Sequence, residues 1–313
     1  MKKFFTTMLV AAVLMGFVIT PAAAYPDKPV TFVVPWPPGD FEDILTRMIA
    51  EEFQKEYGVP AAVVNKPGGG GGPFPGAVYV AKAPPDGSTI GSFVISVPTI
   101  GPQIGIPELN PNPFEPLGIF MTYPFVVVAS KKPGFKDLKG LAEYAKKNKV
   151  ALGHFGAPLP PTKVAFAIAK SMGFSWGSDA AFDALECNVL ASGDVDVMTT
   201  TVAQVMPCLN DIVVLVAATN KRVSILPDVP TVGEVLPELD LFLWNGLFVH
   251  KDTPANVREK IIPVARRALQ SERAKKLSKE MGVLIYWMDA EESKAQIKKD
   301  IATFSKINKM LEK

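Results

Sequence analysis

The sequence predicts an α/β protein of two domains behind a secretory leader. Three observations predict it. Short β-branched runs alternate with amphipathic stretches along most of the chain, 313 residues exceed what one core ordinarily spans, and an uncharged apolar run opens the chain. A composition of 48% hydrophobic and 20% charged residues excludes a disordered chain. A formal net charge of +2 gives no electrostatic reason to bind nucleic acid. Two histidines and two cysteines are too few for a His/Cys metal cluster, and no cofactor is expected.

Taken in order, Lys2 and Lys3 precede an apolar stretch from Phe4 to Ile19, which Pro21 breaks. Ala22-Ala23-Ala24 then supplies a small-residue cleavage site, so residues 1–24 read as a signal peptide and the mature protein as periplasmic. The apolar stretch is short of the about 20 residues a membrane span needs. Losing Lys2 and Lys3 leaves cations and acids equal in number, so any steering of a charged ligand must be local. Pro29 to Val34 is a β-branched strand, and residues 43–57 form a helix with Ile44, Leu45, Met48, Ile49 and Phe53 on one face. Further strands are expected near 61–64, 89–95, 125–129, 149–152, 195–199, 212–217 and 241–249, with helices over 138–147, 162–172, 183–192 and 202–209. This alternation predicts mostly parallel sheets. Residues 98–116, crowded with prolines, read as a loop. Thr253 is expected to cap a helix with Pro254 at its first position. Asp289 and Glu292 form a capping box for a last helix with Ile297, Ile301, Phe304 and Ile307 on one stripe.

Ligands of open α/β sheets bind at loops after the carboxyl ends of strands. Three such loops are rich in Pro and Gly: residues 35–43, residues 65–73 with Gly70 and Gly71 in a five-glycine run, and residues 153–162. Glycines admit a ligand to the backbone, and helix N-termini offer unpaired N–H groups, so an anion could be held without lysine or arginine. The glycine run matches neither a Walker loop nor a dinucleotide fingerprint. No Gly-x-Ser-x-Gly elbow exists, so the chain does not read as an enzyme. Cys187 and Cys208 either close a disulfide loop or stay separate buried thiols; the sequence leaves both open.

Val33 to Gly39 with Asp43, Asn65-Lys66-Pro67-Gly68, Tyr79 to Gly87, Gly193 to Met198, Leu226 to Thr231 and Trp244-x-Gly246 resemble, in joint order and spacing, the solute receptors of tripartite tricarboxylate transporters, the Bug receptors. The resemblance covers nearly the whole mature chain. It implies a type II periplasmic binding protein, two α/β domains around a ligand cleft. Residues 25–125 plus 245–313 would form one domain and 126–244 the other. It further implies a monomer that captures a small carboxylate and hands it to a membrane permease. Carried over, the loop with Trp36, Pro38, Gly39, Asp40 and Phe41 faces the loop with Phe155, Gly156, Ala157 and Thr162 across the cleft. Ser96 and Thr99 bear hydroxyls beside it, and Thr200 approaches it after a strand.

The departures narrow the expectation. The family usually carries Gly-Gly where this chain has Gly39-Asp40, and its Ser/Gly-rich second loop is replaced by His154 to Pro161. An ionised Asp40 facing a bound carboxylate at about 4 Å would repel it by about 4 kcal/mol at an effective dielectric near 20. Asp40 therefore caps its own helix and faces away, or the ligand is neutral or cationic, or a carboxylate binds elsewhere in the cleft. The apolar second loop favours an aromatic or aliphatic acid over citrate. An extracytoplasmic enzyme on the same fold, or a sensor subunit presenting its ligand, are the alternatives.

Overall fold

The computed structural model describes residues 25–68, 72–182, 184–239 and 241–312; the leader at 1–24 and Gly70 and Gly71 lie outside them. Two sheets organise the chain, one of six strands and one of five. In the first, β1 (Val30–Val34) pairs in parallel with β2 (Ala61–Asn65) and β3 (Thr89–Val94). β10 (Trp244–His250) lies antiparallel between β3 and β4 (Phe114–Thr122), and β11 (Leu284–Met288) lies antiparallel beyond β4. In the second, β6 (Ala151–His154) runs parallel to β7 (Ser178–Ala181) and β8 (Val197–Thr201). β5 (Phe125–Ser130) runs antiparallel between β8 and β9 (Ile212–Ala217). The expectation of mostly parallel sheets is thus corrected to mixed ones. The reason is that β5 and β10 begin where the chain changes sheets and enter from the opposite end.

Local chemistry explains most elements. β1 is buried at Val30, Phe32, Val33 and Val34, as a central strand covered on both faces should be. β2 is an edge strand and alternates half-buried with exposed. α1 (Phe41–Tyr57) turns Phe41, Leu45, Met48, Ile49 and Phe53 inward and ends on Gly58 in the left-handed region at φ 68°. It begins two residues before the expected start. β4 overturns the reading of the proline-rich stretch as loop up to 116. Pro116 is tolerated because the pairing slips between Leu247 and Phe248, directly opposite it, where no N–H is required.

After α1 come α2 (Phe74–Ala81), α3 (Ser96–Thr99) and α4 (Leu138–Ala145). α5 (Pro160–Ser171) starts on its two prolines, α6 (Cys187–Ser192) and α7 (Val202–Val205) are shorter than expected, and α8 (Val232–Val235) and α10 (Glu272–Met281) flank the return to the first sheet. α9 (Ala255–Leu269) starts after Pro254, so Thr253 is not its cap; the Thr253 hydroxyl is buried without a partner. α11 (Ala290–Glu312) carries the capping box, with Glu292 N–H donating to Asp289 Oδ1 and Asp289 N–H to Glu292 Oε2, both at 2.9 Å. Ile297, Phe304 and Ile307 are buried on it, whereas Ile301, expected on the same stripe, is 38% exposed.

The chain passes from the first sheet to the second through Tyr123-Pro124 and returns through residues 218–243. The two passages are tied where they meet: Tyr123 N–H donates to the Leu243 carbonyl at 2.8 Å. A third link lies behind them, where α11 of the first sheet packs on α5 of the second, with Ser171 Oγ 3.8 Å from Met310 Sδ. Cys187 and Cys208 form a disulfide that joins the start of α6 to the turn after α7.

Candidate functional site

Between the two sheets lies a cavity of about 750 Å³. It sits at the carboxyl ends of the parallel strands β1, β3, β6 and β8, where an open α/β sheet leaves a crevice. The first sheet contributes Trp36 to Asp40 from the β1–α1 loop, Glu42 from the first turn of α1, and Ile95 and Ser96 beyond β3. The second contributes Phe155, Leu159, Pro160 and Pro161 from the β6–α5 loop. A rim from Glu186 to Asn188, with Thr201 and Gln204, completes that side. The floor is the pair of passages, with Tyr123, Phe125, Leu243 and Trp244. Tyr123, Phe125 and Phe155 form a run of edge-on rings, with centroids 5.9 and 6.1 Å apart.

Free main-chain donors are scarcer here than Pro/Gly loops lead one to expect. Gly39, at φ 103°, donates its N–H to Asp43 Oδ2 at 2.9 Å. Gly156 donates its N–H to His154 Nδ1 at 3.0 Å, and His154 Nε2 lies 2.8 Å from Asp179 Oδ1. Pro160 and Pro161 occupy the first two positions of α5 and carry no N–H at all. Of the main-chain donors in these two loops, those of Gly39 and Gly156 are thus engaged within the loops, and Pro160 and Pro161 offer none.

The side chains are acidic or neutral. Among the described residues lining the cavity there is no lysine, arginine or histidine, while Asp40, Glu42 and Glu186 all line it. Asp43 is not one of them; burial alone would raise its pKa, but Arg47, Asn65 and the Gly39 N–H hold it below the usual carboxylate range. The Arg47 charge is thereby spent on Asp43. Asp40 sits at the N-cap of α1 with no side-chain capping hydrogen bond. Burial raises its pKa, the Phe41 N–H partly offsets that, and the Asp43 charge adds to it. Glu42 is 1% exposed, and its Oε2 has no hydrogen-bond partner. Burial first, then the Asp40 charge, push its pKa well above the ordinary value, against the pull of its own N–H and the Tyr123 phenol. Tyr123 is raised well above its own, by burial and then by Glu42 and Asp40.

A buried polar chain holds Glu42 and Tyr123 in place. The Thr46 hydroxyl donates to the Glu42 carbonyl and lies 2.8 Å from Ser92 Oγ. Asn245 Nδ2 donates to the same Ser92 Oγ at 2.7 Å, and Tyr123 Oη donates to Asn245 Oδ1 at 3.3 Å. α1, β3, β10 and the first passage between the sheets are thereby linked under the acidic wall.

Of the residues expected at a site, Trp36, Pro38, Gly39, Asp40, Ser96 and Phe155 line the cavity. Phe41 is turned into the core beneath, and Thr99 donates its hydroxyl to the Ile95 carbonyl at 2.6 Å, 1% exposed and off the wall. Gly156 and Ala157 belong to the loop but not to the wall, and Thr162 is buried behind it. Thr200 points to the other face of β8, where its hydroxyl donates to the Leu185 carbonyl at 2.8 Å. Its neighbour Thr201 lines the cavity instead, with an unpartnered hydroxyl. Sequence reasoning also missed Glu42, Tyr123, Phe125, Glu186, Asn188, Gln204 and Trp244. For Thr201 a signal existed in the two-residue period of a strand; for Tyr123 and Trp244 none did, because only the passages between sheets bring them together.

Comparison with known proteins follows this geometry. A family model described as the tripartite tricarboxylate transporter family receptor matches residues 45–312. A protein encoded in the TAR-I ttuE-ttuC' intergenic region of Agrobacterium vitis is 31% identical over 288 residues, 86% of this chain and 80% of that one. The solved periplasmic binding protein BugD superposes with a TM-score of 0.76 at 24% identity, covering 92% of this chain and 98% of its own. Two Rhodopseudomonas palustris structures share the fold. One, with adipate, gives a TM-score of 0.78 at 21% identity over 92% and 98% of the two chains; the other, MatC with bound malate, gives 0.74 at 24% over 92% and 100%.

Proposed function

The chain belongs to the tripartite tricarboxylate transporter receptor family, and on that premise we propose that it is a periplasmic receptor that encloses one small organic acid between two lobes and presents it to a membrane permease. The observation that carries this reading is the cavity itself, about 750 Å³ between two sheets joined by a tied pair of passages. The lobes follow the expected division, residues 25–125 with 245–313 and 126–244, shifted by one residue at each crossing because Phe125 opens β5 of the second sheet and Trp244 opens β10 of the first. Solute bridging the walls favours the closed arrangement because only there does it touch both, and Tyr123 and Leu243 are the natural pivot. The acting unit is a monomer. No bond is cleaved, so the protein is a receptor and not an enzyme.

An aromatic or aliphatic acid fits better than citrate. Rings and prolines make up much of the wall, and no cationic side chain among its described residues would offset several carboxylates. Ser96, Asn188 and Thr201 are among the neutral side chains on the wall that can hold one carboxylate. The relatives with adipate and with malate support an acid as the first class to test.

Native mass spectrometry of the purified protein, followed by a thermal-shift panel of mono-, di- and aromatic carboxylates and their amino derivatives, tests the reading. A copurifying solute, or a rise in melting temperature with one class, is expected. Silence across the panel with no retained solute would overturn it. Turnover of a bound compound would favour an enzyme instead, and capture of a histidine kinase in place of a permease a sensor subunit.

A further inference from the structure

The acidic wall has no role in holding an anion. α1 is a 17-residue helix whose N-terminus faces the cavity, and such an end ordinarily favours negative charge. Here the protein fills that end with its own carboxyls. Asp40 stands at the cap and Glu42 in the first turn, Asp43 behind them is neutralised by Arg47, and the Gly39 N–H is already engaged. Glu42 is the telling residue. It is 1% exposed, it lines the cavity, and its Oε2 meets no donor. A carboxylate oxygen buried without a donor is costly, and a protein keeps one where a ligand supplies the donor. The aromatic residues Trp36, Tyr123 and Phe155 line the same cavity, and aromatic rings attract cations to their faces.

We infer that the solute of this receptor carries a positively charged nitrogen, seated against the Asp40 and Glu42 carboxylates and flanked by the rings of Trp36, Tyr123 and Phe155. The inference rests on the receptor reading; a zwitterionic solute narrows the acid proposed there, and a bare ammonium replaces it. The solute is an organic ammonium or, where it also bears a carboxylate, a zwitterion whose acid end faces Ser96, Asn188 and Thr201. Glu186 on the opposite rim adds to the preference for positive charge. The groups facing Glu42 are Asp40, Asp43 with Arg47, and the Tyr123 phenol. Burial first, with the Asp43 charge acting on Asp40 and the Asp40 charge on Glu42, raises both pKa values above the ordinary carboxylate range. Binding of a cation therefore expels a proton, and its affinity rises with pH.

The test uses two pairs of probes matched in skeleton, phenethylamine with 3-phenylpropionate and pentylamine with hexanoate, titrated calorimetrically into the purified protein between about pH 5 and 8. Each amine is expected to bind at least about tenfold more tightly than its acid, with affinity rising toward high pH by up to about tenfold per unit. Asp40→Asn and Glu42→Gln are each expected to weaken the amine at least about tenfold and to flatten that slope. Asp40 is half-buried, so Asp40→Asn keeps the test valid should Glu42→Gln misfold. Tighter binding of the acids, or amine affinity unchanged in both variants, overturns the inference and leaves the receptor reading standing. Silence from all four probes, with no solute retained on purification, overturns both.

Discussion

Thr200 and Thr201 are adjacent, chemically identical and opposite in consequence. Thr200 ties the Leu185 carbonyl and Gln204 Oε1 into the wall, whereas Thr201 reaches the cavity with nothing to bond. Thr200→Val should therefore destabilise the protein by about 1–3 kcal/mol. Thr201→Val should leave the denaturation midpoint unchanged or higher and weaken solute binding; urea melts beside a binding titration separate the two. Glu42 makes the same point with charge. Its pKa is raised in the folded state, so the folded protein holds a proton that the unfolded chain releases above about pH 4.5. Stability thus falls as pH rises from there to the raised pKa, and the loss persists beyond it. Glu42→Gln should remove this slope and stabilise the protein by about 1–3 kcal/mol near pH 8, with the gain shrinking toward pH 4.5. A gain that is independent of pH would show that the Glu42 pKa does not differ between the folded and unfolded chain, and would refute this reading. A residue that lowers stability in a cleft is what a binding role leaves behind.

At the scale of elements, legibility followed chemistry. α1, α11 and the buried strands β1 and β9 carry hydrophobic periods strong enough to read directly. β4 did not, because its prolines mimic a loop until a slip in its partner strand removes the need for an N–H at Pro116. β7 did not either: it is a four-residue edge strand, exposed throughout, with no apolar alternation to see. The disulfide is an element-scale device. It bridges residues 21 apart in sequence, and Cys187 itself lines the cavity. Reduction should cost about 3 kcal/mol on the loop-entropy account. It should also weaken solute binding beyond that of the oxidised protein, because the rim from Glu186 to Asn188 loses its brace. Thermal melts and binding titrations with and without reductant check both effects.

The whole molecule adds what no element contains, a gap between two sheets with its floor tied at Tyr123 and Leu243. α11 reaches across behind that floor. It receives the indole N–H of Trp244 on Asp300 Oδ2 at 2.8 Å, and it packs its far end on α5. On the proposed closure of the lobes, the pivot lies between the floor and this helix. Solute binding is expected to shrink the radius of gyration in small-angle scattering. An unchanged radius in the presence of a saturating, tightly bound solute would refute rigid-body closure. Weakening the α11–α5 contact with Met310→Ala should lower the melting temperature by a few degrees while leaving the acidic wall intact.

The sequence by itself determined the α/β class, the family motifs and the three Pro/Gly loops, because these are local: a strand period, a helix cap or a proline acts within a few residues of itself. Six of the expected site residues line the cavity for the same reason, since loops after strand ends converge in any such fold. Only the tertiary structure decided the character of that cavity. Whether an N–H at Gly39 or Gly156 is free, whether Glu42 finds a donor, and which of two threonines looks inward depend on atoms brought together from four strands, two helices and the passages between the sheets. No local pattern encodes those distances, and they are what leave Asp40 and Glu42 on the cavity wall with one Glu42 oxygen unpartnered.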